Sequence, residues 1–244
     1  MKKIECMQGW IQLPVIMFRL MTRADIISVM NACFGFLAIF AILRDEVRLA
    51  FVIIMLSLLA DGLDGIVARY FGSGKMGENL EAMADMLSLA IAPLLFVYQF
   101  SIIDTFTSAD IWYLFLIVSL IYLSFSVIRL ASFHVYKDKN FFVGLPASVG
   151  TIILVCLVVL EIDSYSILFA MIVIALLLIS PIRFSKPSIL INTGASVLIF
   201  CALLFYSGYH AGFILMLLTG MVFYVIGAPI HSLIVTINKV DKIS

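Results

Sequence analysis

Runs of about twenty apolar residues follow one another along this chain with only short polar turns between them. A backbone inside a bilayer has no water to satisfy its N–H and C=O groups, so such runs can only be helices that bond internally. Apolar residues make up 64% of the chain and charged ones 12%, against about 45–50% and about 25% in ordinary globular domains. Eight spans are expected, at 26–43, 49–70, 78–101, 111–133, 145–161, 164–182, 187–206 and 211–235. The fold class is therefore all-α, a multispanning membrane helix bundle. Residues 8–24 are apolar but broken by Gln12, Pro14, Arg19 and Arg23, which suits an amphipathic helix lying at the interface rather than a removed signal peptide. The expected organisation is an N-terminal interfacial segment (1–24), a transmembrane domain (25–236) and a short tail (237–244), with Asp25 as N-cap of the first span.

Within this apolar frame the stretch DGLDGIVARYFGSGKMGENLEAMAD (61–85) is out of character. Asp61 and Asp64 stand three apart, and Glu81 and Asp85 four apart, so each pair shares a helix face. An ionised carboxylate at bilayer depth costs about 2.5–3.5 kcal/mol on insertion scales. Four of them together call for a cation, and hard oxygen donors without nearby His or Cys indicate Mg2+ or Mn2+, with Ca2+ also compatible. The pairs end one span and begin the next, so an antiparallel hairpin brings them to the same membrane side. Gly65 and Ala68 leave room for close approach to the backbone, and Arg69 supplies a planar cation suited to phosphate.

Orientation follows from the basic residues. With a cytoplasmic N-terminus, thirteen Lys and Arg fall on inner segments and only Arg44 and Arg48 on outer ones. Both termini and the acid cluster are then cytoplasmic, in a multi-pass protein of the cell membrane. The balanced charge, 15 basic against 15 acidic, argues against nucleic acid as a partner. Cys6, Cys33, Cys156 and Cys201 show no metal spacing and read as small buried hydrophobes.

The pattern D-x2-D-G-x2-A-R followed by G-x3-E-x3-D resembles the motif of the CDP-alcohol phosphotransferases, integral-membrane enzymes of phospholipid synthesis. Asp61, Asp64, Gly65, Ala68, Arg69, Gly77 and Asp85 fall on its fixed positions. Glu81 stands where that family has Asp, and the spacer between Arg69 and Gly77 is one residue shorter than usual. The stretches RLASFH (129–134), FVGLPAS (142–148) and IRFSK (182–186) are similar, in that order, to stretches of phosphatidylserine and archaetidylserine synthases. They depart from those enzymes at Ser132, His134, Ser148 and Ser185.

The resemblance implies displacement of CMP from a CDP-linked lipid (CDP-diacylglycerol or CDP-archaeol) by the hydroxyl of L-serine. It implies two divalent cations held by Asp61, Asp64, Glu81 and Asp85, with Asp85 also the catalytic base. The CDP-lipid would be bound by Ser28, Asn31, Gly65, Ala68, Arg69 and Gly77, and the acceptor by Arg129 and Arg183. A homodimer in the lipid bilayer is expected. Glycerol phosphate or inositol phosphate stays open as acceptor, because Lys137 and Lys139 could supply a third basic residue. From another class, an ion-coupled transporter would also carry intramembrane acids, but at the midplane rather than beside an arginine at one side.

Overall fold

The computed structural model describes residues 20–72, 74, 76–103, 109–133, 141–185, 194, 196–199 and 211–240. Its helices are α1 (Arg23–Leu43), α2 (Val47–Phe71), α3 (Gly77–Ile102), α4 (Ala109–Phe133), α5 (Ala147–Val159), α6 (Ser164–Leu178) and α7 (Ala211–Val240). Among the described residues, five helices are long and apolar enough to cross a membrane: α1, α2, α3, most of α4 and most of α7. The all-α bundle stands, but the count of eight spans does not follow from it. The fifth and sixth expected spans are present as helices of 13 and 15 residues. The seventh, 187–206, lies largely outside the described residues, as does the interfacial segment up to residue 19.

Outward faces carry Phe36, Phe40, Phe169, Leu176, Phe223 and Ile226, all exposed, as suits helices solvated by lipid tails. Inward, Phe51, Ile54, Met55, Phe96, Leu154 and Ile167 are fully buried in one continuous core. α1 lies along α2 and the first half of α3 through Ala24, Ser28, Asn31, Gly35, Ala38 and Ile42, a stripe recurring every three to four residues. Small residues let two helix backbones approach closely without a hydrophobic drive between them. At Gly35 a Cβ would stand 2.9 Å from the Cα of Ser88, so only glycine permits this crossing of α1 and α3.

The start of α1 corrects the expected cap. Thr22 is the N-cap, and Asp25 three residues on completes a capping box, accepting from the Thr22 N–H at 2.7 Å. The turn from α1 to α2 is closed by the Asp45 N–H donating to the Ile42 carbonyl and the Glu46 N–H to the Ala41 carbonyl, both at 3.0 Å, with an exposed Arg44–Glu46 ion pair beside them. In the turn before α6, Asp163 accepts from the Ser166 N–H at 2.9 Å, and that bond holds its carboxyl below the ordinary value. Cys33 is exposed on α1, against the expectation that all four cysteines are buried, whereas Cys156 is buried as expected.

α3 is not a uniform α-helix. It widens into π turns at Met86–Ile91 and Tyr98–Ile102. Pro93 lies between them and has no N–H to give the carbonyl of Leu89 four residues earlier. That carbonyl instead accepts from the Thr151 hydroxyl of α5 at 2.7 Å. The side chain of one helix thus repairs the ladder of another, which is how a proline is accommodated at depth.

The second departure from an all-helical reading is a two-stranded antiparallel ribbon, β1 (Phe141–Val143) with β2 (Arg183–Ser185), in the register Phe142 opposite Phe184. Sequence reasoning runs the sixth span to 182, but α6 ends at Leu178 and the chain turns into this ribbon. Gly144 closes β1 with a positive φ of 78° and faces the Leu178 carbonyl so closely that a Cβ has no room.

Thr151→Val keeps the volume and removes the hydroxyl, leaving the Leu89 carbonyl buried and short of a donor. The expected loss is about 1–3 kcal/mol, read as a lower melting temperature of the detergent-solubilised protein, with Thr219→Val on the exposed face of α7 nearly unchanged.

Candidate active site

The start of α1, the C-terminal part of α2 and the start of α3 meet at the acids. Asp61 and Asp64 sit about two-thirds along α2, and Glu81 and Asp85 in the first turns of α3. Because α2 and α3 form a hairpin, the four carboxyls gather at one place, as the spacing predicts. Asp61, Asp64, Glu81 and Asp85 lie within electrostatic range of one another.

α1 supplies the donors. Ser28 Oγ donates to Asp64 Oδ2 at 2.6 Å, and Asn31 Nδ2 donates to Asp85 Oδ1 at 3.0 Å. Ser28 and Asn31 are one turn apart on α1 and reach the two different helices that carry the acids. Asp64, Asp85, Ser28 and Asn31 are all buried, while Asp61 and Glu81 are half-buried at the rim. The sequence reading gave Ser28 and Asn31 to the nucleotide, whereas here each has a bond to a carboxylate. Asn31 Oδ1 is buried and has no partner, so it can still accept from an incoming group.

These carboxylate, hydroxyl and amide oxygens are the chemistry a hard divalent cation takes. Among the described residues no three carboxyl groups are already drawn into one coordination shell. The donor types, their convergence and the unpartnered Asn31 oxygen fit such a cation.

Around the cluster, a Cβ at Gly65 would meet open space, so that face of α2 is free for a ligand. Ala68 is half-buried, Arg69 is exposed in the last turn of α2, and Gly77 is buried at the start of α3.

The two arginines expected at the acceptor belong to a neighbouring feature. Arg129, near the end of α4, is buried and its Nε donates to the Leu145 carbonyl at 3.2 Å. Arg183 is exposed on β2, directly opposite Val143. The three similar stretches, far apart in sequence, thus converge, with Arg129 bonded to the chain just after β1 and β1 paired with β2. Lys137, Lys139 and His134 lie outside the described residues. Residues that sequence reasoning missed also act here. Tyr224 of α7 donates to the Ser185 carbonyl at 3.1 Å, and Thr151 ties α5 to α3 one turn past Asp85. No motif flags Tyr224; a proline inside an apolar span was the one available signal for Thr151.

The family described as CDP-alcohol phosphatidyltransferase matches this chain over residues 21–195. The archaetidylserine synthase of Methanothermobacter thermautotrophicus is 29% identical over 168 residues, covering 66% of this chain and 69% of its own length. The CDP-diacylglycerol–serine O-phosphatidyltransferase of Methanocaldococcus jannaschii is 34% identical over 170 residues, 69% of this chain and 76% of its own. A protein of the same description from Mycobacterium leprae is 30% identical over 145 residues, with 56% and 46% covered.

Proposed function

We infer the reaction from a plain premise: the chain belongs to the CDP-alcohol phosphatidyltransferase family. It is an enzyme that transfers a phosphatidyl-type group from a CDP-linked lipid to the hydroxyl of L-serine, releasing CMP, in phospholipid biosynthesis. The observation that carries this is the convergence of four carboxyls with the Ser28 and Asn31 donors. The relatives described as serine transferases support serine as acceptor.

Members of this family generally depend on a divalent cation. Asp61, Asp64, Glu81 and Asp85 would hold it, as two ions of Mg2+ or Mn2+. When bound, it neutralises the diphosphate and stabilises the leaving CMP. Arg69 pairs with the diphosphate, while the open face at Gly65, with Ala68 and Gly77, takes the nucleotide. Asp85, its carboxyl fixed by Asn31, accepts the proton of the serine hydroxyl as that oxygen bonds to the lipid-side phosphorus and the bond to CMP breaks. Arg183 and Arg129 receive the serine carboxylate, since charge-assisted bonds to a planar guanidinium fix orientation as well as position. The split of basic residues supports a site that faces the cytoplasm.

Asp61→Asn or Asp64→Asn is expected to cut CMP release from a CDP-lipid and serine by at least about 10^2-fold and to abolish Mn2+ binding followed by electron paramagnetic resonance. Full turnover in either variant, or in EDTA, would refute the cation assignment.

Glu81 reaches one methylene further than the Asp usual in the family, and it is expected to be a working ligand. Glu81→Gln should weaken Mn2+ binding about 10–100-fold and Glu81→Asp far less. Equal, wild-type-like binding in both removes Glu81 from the ligand set.

Single cysteines at 45 and 163 should react with an impermeant thiol reagent from outside, and one at 78 only from the cytoplasmic side. Labelling of position 78 from outside inverts the topology.

A further inference from the structure

We propose that Tyr224 of α7 is a positioning residue for the acceptor, holding the ribbon that carries Arg183. The proposal rests on the reading that Arg183 and Arg129 receive the serine carboxylate. α7 lies beyond residues 21–195, so Tyr224 is outside the part of the chain that matches the family.

The ribbon needs a support. Each strand is three residues long, and a two-stranded hairpin is marginal by itself even when longer. β1 has three holds. It pairs with β2, the Gly144 N–H donates to the Ile182 carbonyl at 2.9 Å, and the Leu145 N–H donates to Leu177 at 3.0 Å. Arg129 adds its bond to the Leu145 carbonyl. β2 is buttressed by α7, whose Tyr224 hydroxyl donates to the Ser185 carbonyl. The same ring stacks on Phe184, centroids 6.3 Å apart and planes 27° apart, and Phe184 is fully buried. Arg183 is the immediate neighbour of Phe184, so ring and hydroxyl together set the strand from which that arginine extends.

Tyr224 also lies within electrostatic range of Arg129. One phenol therefore touches the strand of one acceptor arginine and the surroundings of the other. The bonds of the carboxyl cluster run elsewhere: Ser28 and Asn31 of α1 donate to Asp64 of α2 and Asp85 of α3. Loss of the hydroxyl should then act on the acceptor and leave the CDP-lipid side alone. The carboxylate of serine, an anionic group on a small soluble alcohol, is the ligand chemistry affected.

The test is steady-state CMP release by the purified full-length enzyme in wild type, Tyr224→Phe, Arg183→Ala and the double variant. Tyr224→Phe keeps the ring on Phe184 and removes only the hydrogen bond. It should raise the KM for serine about tenfold, with kcat at saturating serine and the KM for CDP-lipid changed by less than about twofold. In the Arg183→Ala background the same change should add less than about twofold, because both act on one contact. Tyr224→Leu, which loses the stacking as well, should raise the serine KM further. An unchanged serine KM in Tyr224→Phe, with Arg183→Ala raising it, overturns the proposal and leaves the acceptor reading standing. A Tyr224→Phe enzyme with reduced kcat and both KM values raised alike shows a general structural prop and also overturns it. Should Arg183→Ala leave the serine KM unchanged too, the acceptor reading falls and the proposal with it.

Discussion

Carboxylates below the surface of an apolar bundle must be given hydrogen-bond donors, and here one helix gives them. Ser28 and Asn31 of α1 reach Asp64 of α2 and Asp85 of α3. The acids on two helices are thereby referenced to a third, and their separation is set by how closely the three backbones pack. Gly35, one turn beyond Asn31, fixes that distance by letting α1 touch α3 at Ser88, one turn beyond Asp85. A buried carboxylate that loses its donor bears its full desolvation cost, so the small-residue stripe of α1 is as much a part of the site as the acids.

The ribbon and the acid cluster are two constructions joined by α5. Ala147 begins α5 directly after the turn that Arg129 grips, and Thr151 one turn on is bonded to Leu89, itself one turn past Asp85. If the helices alternate in direction, α3 and α5 run the same way, and equal offsets place the start of α5 level with Asp85. A hydroxyl that repairs a proline break is thus also the depth gauge between the two halves of the site.

Much of this was legible in the chain. The acids, their spacing and the hairpin that gathers them follow from residues 61–85, because helical period and antiparallel connection leave little freedom. What escaped sequence reading was contact between elements distant in sequence. Nothing local tells Ser28 from any other helix serine, or shows that Pro93 leaves Leu89 to Thr151. The first cap shifted from Asp25 to Thr22 because a capping box places the acid at the third helical position, where it looks like a cap in its own right. The ribbon was missed because three-residue strands carry no period, and IRF reads equally well as the end of an apolar span.

The shortness of α5 bears on the surrounding lipid. At 1.5 Å per residue its 13 residues rise about 20 Å, against a hydrocarbon core of about 30 Å. α6, with 15 residues, falls short as well. α5 begins and α6 ends at the ribbon, where β1 and β2 pair and β2 lies against α7, the condition under which non-helical chain is tolerated at that level. Hydrophobic mismatch is therefore built into this side of the bundle: the adjoining leaflet must thin or admit polar groups. A lipid whose chains stretch the bilayer would strain the ribbon before it strained the longer helices α1 and α2.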